Sequence, residues 1–437
     1  MRTYLRRGRK RAVGVLLVAG VLAAAACSGG GGSGGGGEAG GKITLTIDTF
    51  GTFGYEELYK QYEASHPNID IRPRNIVRLE DYLPRLEQYL ATGSGAGDVV
   101  ALEEGIINRL LAQPDAFVNL LDHGAGELEG NFLSWKWQAG MTPDGKLIGL
   151  GTDIGAMGMV YRKDLFEKAG LPTDREKVGQ LWTTWDDFIE TGKKFEAANV
   201  DAKFVDSATN VYNTILWQEA GKASNYTYFD TNNNLVIDTN PAVKTAWDTS
   251  VEMAQAGLSA ELRTFDDPWI SGFRRDSFAT VAAPAWMLGQ IQEFAGEEKA
   301  GLWDVTTVPG GGGVWGGSWL AVPAQSEHPA EAAELAKFLT NPQGQIAAFK
   351  ARTNYPSSPQ AIEDPAVQNF KNEYFSNAPV GEIFGESAKG LRPVYLAPDN
   401  QPVRERVEEA LRAVEAGDLS SDAGWQRAVR DAQSEAG

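Results

Sequence analysis

Carboxylates and indoles are the side chains in this sequence whose positions suggest chemistry. Glu103 and Glu104 follow the buried run Val99 to Leu102, Asp206 closes the short apolar run at Phe204 and Val205, and Asp153 is the lone ionisable residue between Gly149 and Gly158. Trp286, Trp315 and Trp319 lie in breaks rich in Pro and Gly, where a large ring has little regular structure to pack beneath. This set suits a partner with flat C–H faces and a rim of hydroxyls: aromatic plates cover the faces, while carboxylates and amides bond the rim. Sugars have that surface. Each residue also has a plainer use, since Asp caps turns and Trp fills cores.

Other chemistry is poorly provided for. His66 and His328 each precede a proline and His123 sits in an Asp-Gly loop, so all three histidines read as surface residues. No Gly-x-Ser-x-Gly stands between a strand and a helix as a nucleophile elbow would, and Gly310 to Gly313 lacks the following Lys and helix of a phosphate loop. Asp230, Asn232 and Asn234 have the spacing of a calcium loop, but Leu235 and Pro241 occupy its glycine and final carboxylate positions, which favours a hairpin turn. No metal or cofactor is expected. Two carboxylates suffice for a glycosidase and the chain has 58 acidic residues. A secreted glycoside hydrolase is therefore the alternative to a binding protein, and a sugar-sensing surface module is another.

The elements that must position these residues can be read from periodicity. Ile43, Leu45 and Ile47 alternate as a strand, Tyr55, Leu58, Tyr59 and Tyr62 recur at helical spacing, and Ile69 and Ile71 restart a strand. Tyr82, Leu83, Leu86 and Leu90 mark a second helix before the strand Val99 to Leu102. This βαβαβ start predicts an open α/β sheet, in which ligands sit beyond the carboxyl ends of the strands. Phe50 to Phe53 and Glu103 occupy such ends. Gly149 to Pro172 reads as a flexible crossing followed by a buried strand, Met157 to Tyr161, and a short helix; the six-glycine segment Pro309 to Val322 reads as a second crossing. Thr184 and Asn240-Pro241 start helices, Phe278 to Met287 and Val305 to Val308 are strands, and a helical region from Pro402 to Ala432 closes the chain.

A chain of 437 residues with 42% hydrophobic content can form two domains. Its start is different. Arg2, Arg6, Arg7, Arg9, Lys10 and Arg11 precede an apolar run from Ala12 to Ala26 that is too short to span a bilayer, the pattern of a signal peptide. The run Ala23 to Ala26 ends at Cys27, the sole cysteine, and resembles the lipobox of bacterial lipoproteins, with Ala24 where Leu is usual. Residues 28–41 include ten glycines and read as a flexible tether. Loss of the six cations takes the formal net charge from −18 to −24, which disfavours nucleic acid and anionic membrane surfaces as partners.

The strings KLIGLGTDIGAMGMVYRKDLFEKAGLPTDRE (146–176), FATVAAPAWMLG (278–289), WGGSWLAVP (315–323) and NEYFSNAPVGEIFGESAKG (372–390) give the chain a wider resemblance. It resembles the family 1 extracellular solute-binding lipoproteins of bacterial ABC importers, and within them the cellobiose and cello-oligosaccharide binding proteins of actinobacteria. The resemblance implies an α/β, two-lobed periplasmic-binding-protein-like (type II) fold with a hinge between the lobes. It implies a signal peptide at 1–26 and a lipidated Cys27 with its tether at 27–41. The N-terminal lobe would comprise 42–153 with 318–378, and the C-terminal lobe 154–317 with 379–437. It also implies a monomeric, non-enzymatic protein anchored by lipid to the outer face of the cell membrane, with a cello-oligosaccharide ligand and permease subunits as partners. Trp286 matches the indole that stacks on a sugar; Asp153, Glu103 and Asp206 match polar cleft positions, with Phe53, Trp315, Tyr355 and Glu382 as further matches. Thr209 and Asn210 stand where small glycines are usual, and Trp319 where Phe is common, so the ligand's length and identity stay open.

Overall fold

A computed structural model describes residues 41–436. The expected signal peptide, Cys27 and almost all of the tether lie outside these residues. Among them the strands in chain order are β1 (Ile43–Phe50), β2 (Ile69–Ile76), β3 (Val99–Glu103), β4 (Gly149–Gly151), β5 (Met157–Arg162), β6 (Lys203–Val205), β7 (Phe278–Pro284), β8 (Trp303–Thr306) and β9 (Ser318–Ala321). No helix among the described residues is long and apolar enough to cross a membrane.

The strands form two sheets. The first has the order β2-β1-β3-β9-β4, with β1 parallel to both β2 and β3 and β9 antiparallel to β3 and β4. The βαβαβ start is therefore present, with helices Glu56–Ser65 and Leu79–Thr92 as its crossovers. Val99 and Ala101 join the core on one face of this sheet, while Val100 and Leu102 join the core on the other. A strand covered on both sides reads as an uninterrupted apolar run, as this one does. The second sheet, β6-β7-β5-β8, has β5 antiparallel to β7 and β8 at its centre. Every residue of β5 and β7 is buried, within the large core of the second lobe.

The chain passes between the sheets at 152–156 and at 307–317, and Tyr355 and Pro356 run beside the first passage. Ile154 N donates to Tyr355 O at 2.8 Å, Trp315 N to Gly155 O at 2.8 Å, and Thr152 N to Ser318 O at 2.8 Å. A Cβ on Gly155 would lie 1.8 Å from Trp315 O, so only glycine lets these segments come together.

The hairpin turn expected around Asp230 is present: Phe229 and Leu235 form an antiparallel bridge, Val236 N donates to Tyr228 O at 2.8 Å, and Asp230 spends its carboxylate on Asn232 N, Asn234 N and Asn234 Nδ2. Two other readings change. The closing helical region is two helices, Asn400–Glu415 and Ser421–Glu435, broken where Gly417 adopts φ +75°. Helix Ala208–Ala223 was not expected: it is buried on nearly every side, so it lacks the polar face that produces a helical period.

Candidate functional site

A cavity of about 540 Å³ lies between the two sheets, within the range of small-molecule sites. Its first-lobe wall comes from strand ends: Phe50 closes β1 and Phe53 follows it, and Glu103 closes β3. These are carboxyl ends of parallel strands, where an open α/β sheet leaves a crevice. Asp153 and Trp315 enter from the two passages, and Trp286 enters just past β7, at the start of helix Met287–Ala295.

The second-lobe wall is aromatic. Trp286 and Trp315 meet edge to face with centroids 6.3 Å apart, and Trp286 Nε1 donates to Trp315 O at 3.1 Å. Phe265 stacks beside Trp286 at 6.2 Å with planes 23° apart and touches Trp315 at 6.4 Å. The backbone of Phe265 holds φ +71°, an unfavourable conformation for an aromatic residue and one that clusters at ligand sites. The three rings form one platform, fixed by ring contacts and a backbone hydrogen bond, with no formal charge.

The hinge side is charged. Asp153 is 6% exposed, and its Oδ1 accepts from Thr152 Oγ1 at 2.6 Å and from Ser318 N at 3.0 Å. It is thus both a hinge cap and a cavity-lining residue. Glu103 Oε2 accepts from Gly105 N at 2.7 Å and caps helix Glu104–Leu111. Burial raises both carboxyls above their ordinary range; Lys136 opposes this for Asp153, and Arg404 does so for Glu103. Lys136 is 1% exposed with Nζ 3.3 Å from the Trp319 ring centroid, and burial lowers it to about 8 against the pull of Asp153 and Glu104. Glu104 is pushed up to about 8 by burial and faces a separate cavity of about 80 Å³ that it shares with Trp135 and Trp319.

Five of the residues expected at a site therefore line one cavity: Phe53, Glu103, Asp153, Trp286 and Trp315. Asp206 does not. It is fully buried beyond β6, where its Oδ2 accepts from Trp269 Nε1 at 2.7 Å and Asn210 Nδ2 at 2.8 Å, and burial pushes its carboxyl up to about 7. Trp269 in turn packs edge to face on Phe265 at 5.3 Å, so Asp206 stands behind the platform. Tyr355 is buried in the hinge, and Glu382 is exposed on helix Val380–Lys389; neither lines the cavity. The sequence reading missed Phe265, Asn213, Gln290, Asn354 and Arg404, all of which line it. Phe265 sits in a loop with no periodic signal, and Arg404 on a helix that reads only as a closing element. Among the described residues no group of three or more His, Cys, Asp or Glu is placed to hold a metal.

Comparison with known proteins agrees with this architecture. A model of the bacterial extracellular solute-binding protein family matches residues 57–373. A crystal structure of an extracellular solute-binding protein of family 1 is 42% identical, with a TM-score of 0.79 over 90% of this chain and 100% of the other. The lactose-binding protein of Rhizobium radiobacter is 26% identical over 62% of this chain, which spans 64% of that relative's length. The arabinooligosaccharide-binding protein of Bacillus subtilis (strain 168) is 26% identical over 69% of this chain and 70% of its own. With a two-lobed α/β fold, a cavity at the hinge and a family match across most of its length, this chain belongs to the bacterial extracellular solute-binding proteins.

Proposed function

We propose that this chain is the substrate-binding component of a carbohydrate ABC importer, which captures cellobiose or a related oligosaccharide and hands it to membrane permease subunits. One observation carries the reading: an uncharged aromatic platform and a set of hydrogen-bonding side chains line the same cavity, from two lobes joined at a hinge. A pyranose presents the matching surfaces, a C–H face for the rings and hydroxyls for Glu103, Asp153, Asn354 and Gln290. A ligand that contacts both walls favours the closed arrangement, because only differential affinity for the two states shifts their balance. The protein acts outside the cytoplasm as a monomer held to the cell membrane by lipid on Cys27.

The test is a thermal-shift screen over cellobiose, longer cello-oligosaccharides, lactose and arabino-oligosaccharides, followed by chromatography of the bound sugar. A ligand present at 100 times its Kd stabilises the folded state by about 2.7 kcal/mol, which raises the transition by several degrees. The reading predicts such a rise with at least one sugar, recovered intact. No rise with any of them, or recovery of shorter products, overturns it; the second outcome is the one a hydrolase would give.

A further inference from the structure

We propose that Asp206, which never touches the ligand, is a positioning residue for it: Asp206 holds the chain on both sides of Phe265 and so keeps that ring in the platform. This role rests on the carbohydrate reading above and concerns how the platform is held.

Phe265 belongs to a loop that cannot hold itself. Between helices Pro241–Gln255 and Asp267–Arg275 the chain forms no helix, and Glu261 and Phe265 adopt φ +57° and +71° although neither is glycine. A bulky residue in that conformation persists only where its surroundings over-determine it. Here the surroundings begin with β6. Val205 N donates to Leu258 O at 2.9 Å and Ala260 N to Val205 O at 2.9 Å, so the start of the loop lies along the edge of β6 with a parallel bridge between Val205 and Ser259. Ser259 Oγ donates to Glu415 Oε1 at 2.5 Å, the oxygen that also accepts from Ala208 N at 2.7 Å. The start of the loop is thereby fastened.

Asp206 fastens its end, with two acceptors that bracket Phe265. Its backbone O accepts from Leu262 N at 3.2 Å, before the ring in sequence, and its Oδ2 accepts from Trp269 Nε1 at 2.7 Å, after it. Trp269 is fully buried, meets Phe265 with centroids 5.3 Å apart and planes at 63°, and is backed by Phe273 at 4.7 Å. The Nε1 bond selects the edge of the indole that faces Phe265, since a ring turned over about Cβ–Cγ would carry its only donor away from Asp206. Packing alone does not account for the residue, because burying a carboxylate costs stability that an apolar side chain of similar volume would not. Asp206 does not line the cavity, whereas Phe265 does, nearly parallel to Trp286. Its effect on a ligand therefore runs through Trp269 and Phe265.

The experiment is titration calorimetry on the full-length wild type, Asp206→Asn, Asp206→Ala, Phe265→Ala and the double variant Asp206→Ala with Phe265→Ala. The probe is whichever of cellobiose, lactose and arabinobiose the wild type binds most tightly. Asp206→Asn keeps an acceptor for Trp269 Nε1 and should bind within about threefold of wild type. Asp206→Ala should lose about tenfold, and Phe265→Ala at least as much. The double variant should bind within about twofold of Phe265→Ala, because the ring through which Asp206 acts is already gone. A merely structural Asp206 gives independent losses that multiply in the double variant. That result, an Asp206→Asn protein as weak as Asp206→Ala, or an Asp206→Ala protein that binds like wild type overturns the positioning role and leaves the carbohydrate reading intact. A wild type that binds none of the probes overturns both. If Asp206→Ala does not fold, Trp269→Phe, which keeps an aromatic ring beside Phe265 and removes the Nε1 donor, replaces it in the cycle with the same expected losses.

Discussion

The cleft has a dry side and a charged side, and they are held in place by different physics. On the dry side Phe265, Trp286 and Trp315 fix one another through ring contacts and one backbone hydrogen bond. Their arrangement carries no charge, so neither pH nor salt acts on it directly. On the charged side Asp153 and Lys136 are buried beside the half-buried Glu103 and Glu104, and each pays for lost hydration with a neighbour of opposite sign or a backbone N–H. The dry side should therefore set how tightly a ring is held, and the charged side how stable the hinge is and at what pH.

The largest effect expected from this contrast is on the charged side. Lys136→Met removes the cation that faces Asp153 and Glu104 and that sits on the Trp319 ring. Breaking a buried charge arrangement by deleting one partner costs about 3–5 kcal/mol. Denaturant unfolding at pH 7 should show that loss, and a change below about 1 kcal/mol would break the comparison.

The next effect lies behind the dry side, where Asp206 supports Trp269 and, through it, Phe265. Its carboxyl titrates at about 7 in the folded protein and at about 3.9 in an unfolded chain. Between those values the folded state keeps a proton that the unfolded state has lost. The stability linked to Asp206 is therefore complete below about pH 4 and is lost as pH rises through about 7, a fall on the order of 2–4 kcal/mol. Asp206→Asn should flatten the decline of stability between pH 5 and 8. An unchanged slope would show that this carboxyl is not what titrates.

The smallest effect belongs to the mouth of the cleft. Arg78 of the first lobe lies 3.6 Å from Asp266 of the second, and both side chains are more than a third exposed or close to it. Such a pair contributes about 0.2–1 kcal/mol and is screened by salt. Arg78→Ala should change sugar affinity less than fivefold at low salt and not at all at 0.5 M NaCl. A larger effect that survives salt would make this pair part of the site.

The same contrast explains what could be read in the sequence. The first lobe announced itself because β1, β2 and β3 alternate with amphipathic helices, and the hinge because its glycines interrupt that pattern. Glu103 was found at the cleft by the same rule that misplaced Asp206, a carboxylate after a strand, whereas Asp153 was found as the lone ionisable residue of a glycine-rich crossing. Glu103 and Asp206 both stand at the end of a strand, but Asp206 is claimed by Trp269 and Asn210, and only the folded chain brings those donors to it. Phe265 was invisible because its position depends on a left-handed backbone in a loop. Arg404 and Asn213 were invisible because their helices reach the cleft only once the chain is folded.

The central claim is that the dry platform holds a sugar, and calorimetry of Trp286→Ala tests it most directly. Trp286 is half-buried at the start of its helix, so truncation should leave the melting temperature within a few degrees of wild type. Loss of a buried aromatic anchor should weaken binding of the best saccharide by about 2 kcal/mol or more, roughly 30-fold. A Trp286→Ala protein that binds that saccharide with wild-type affinity would contradict the account.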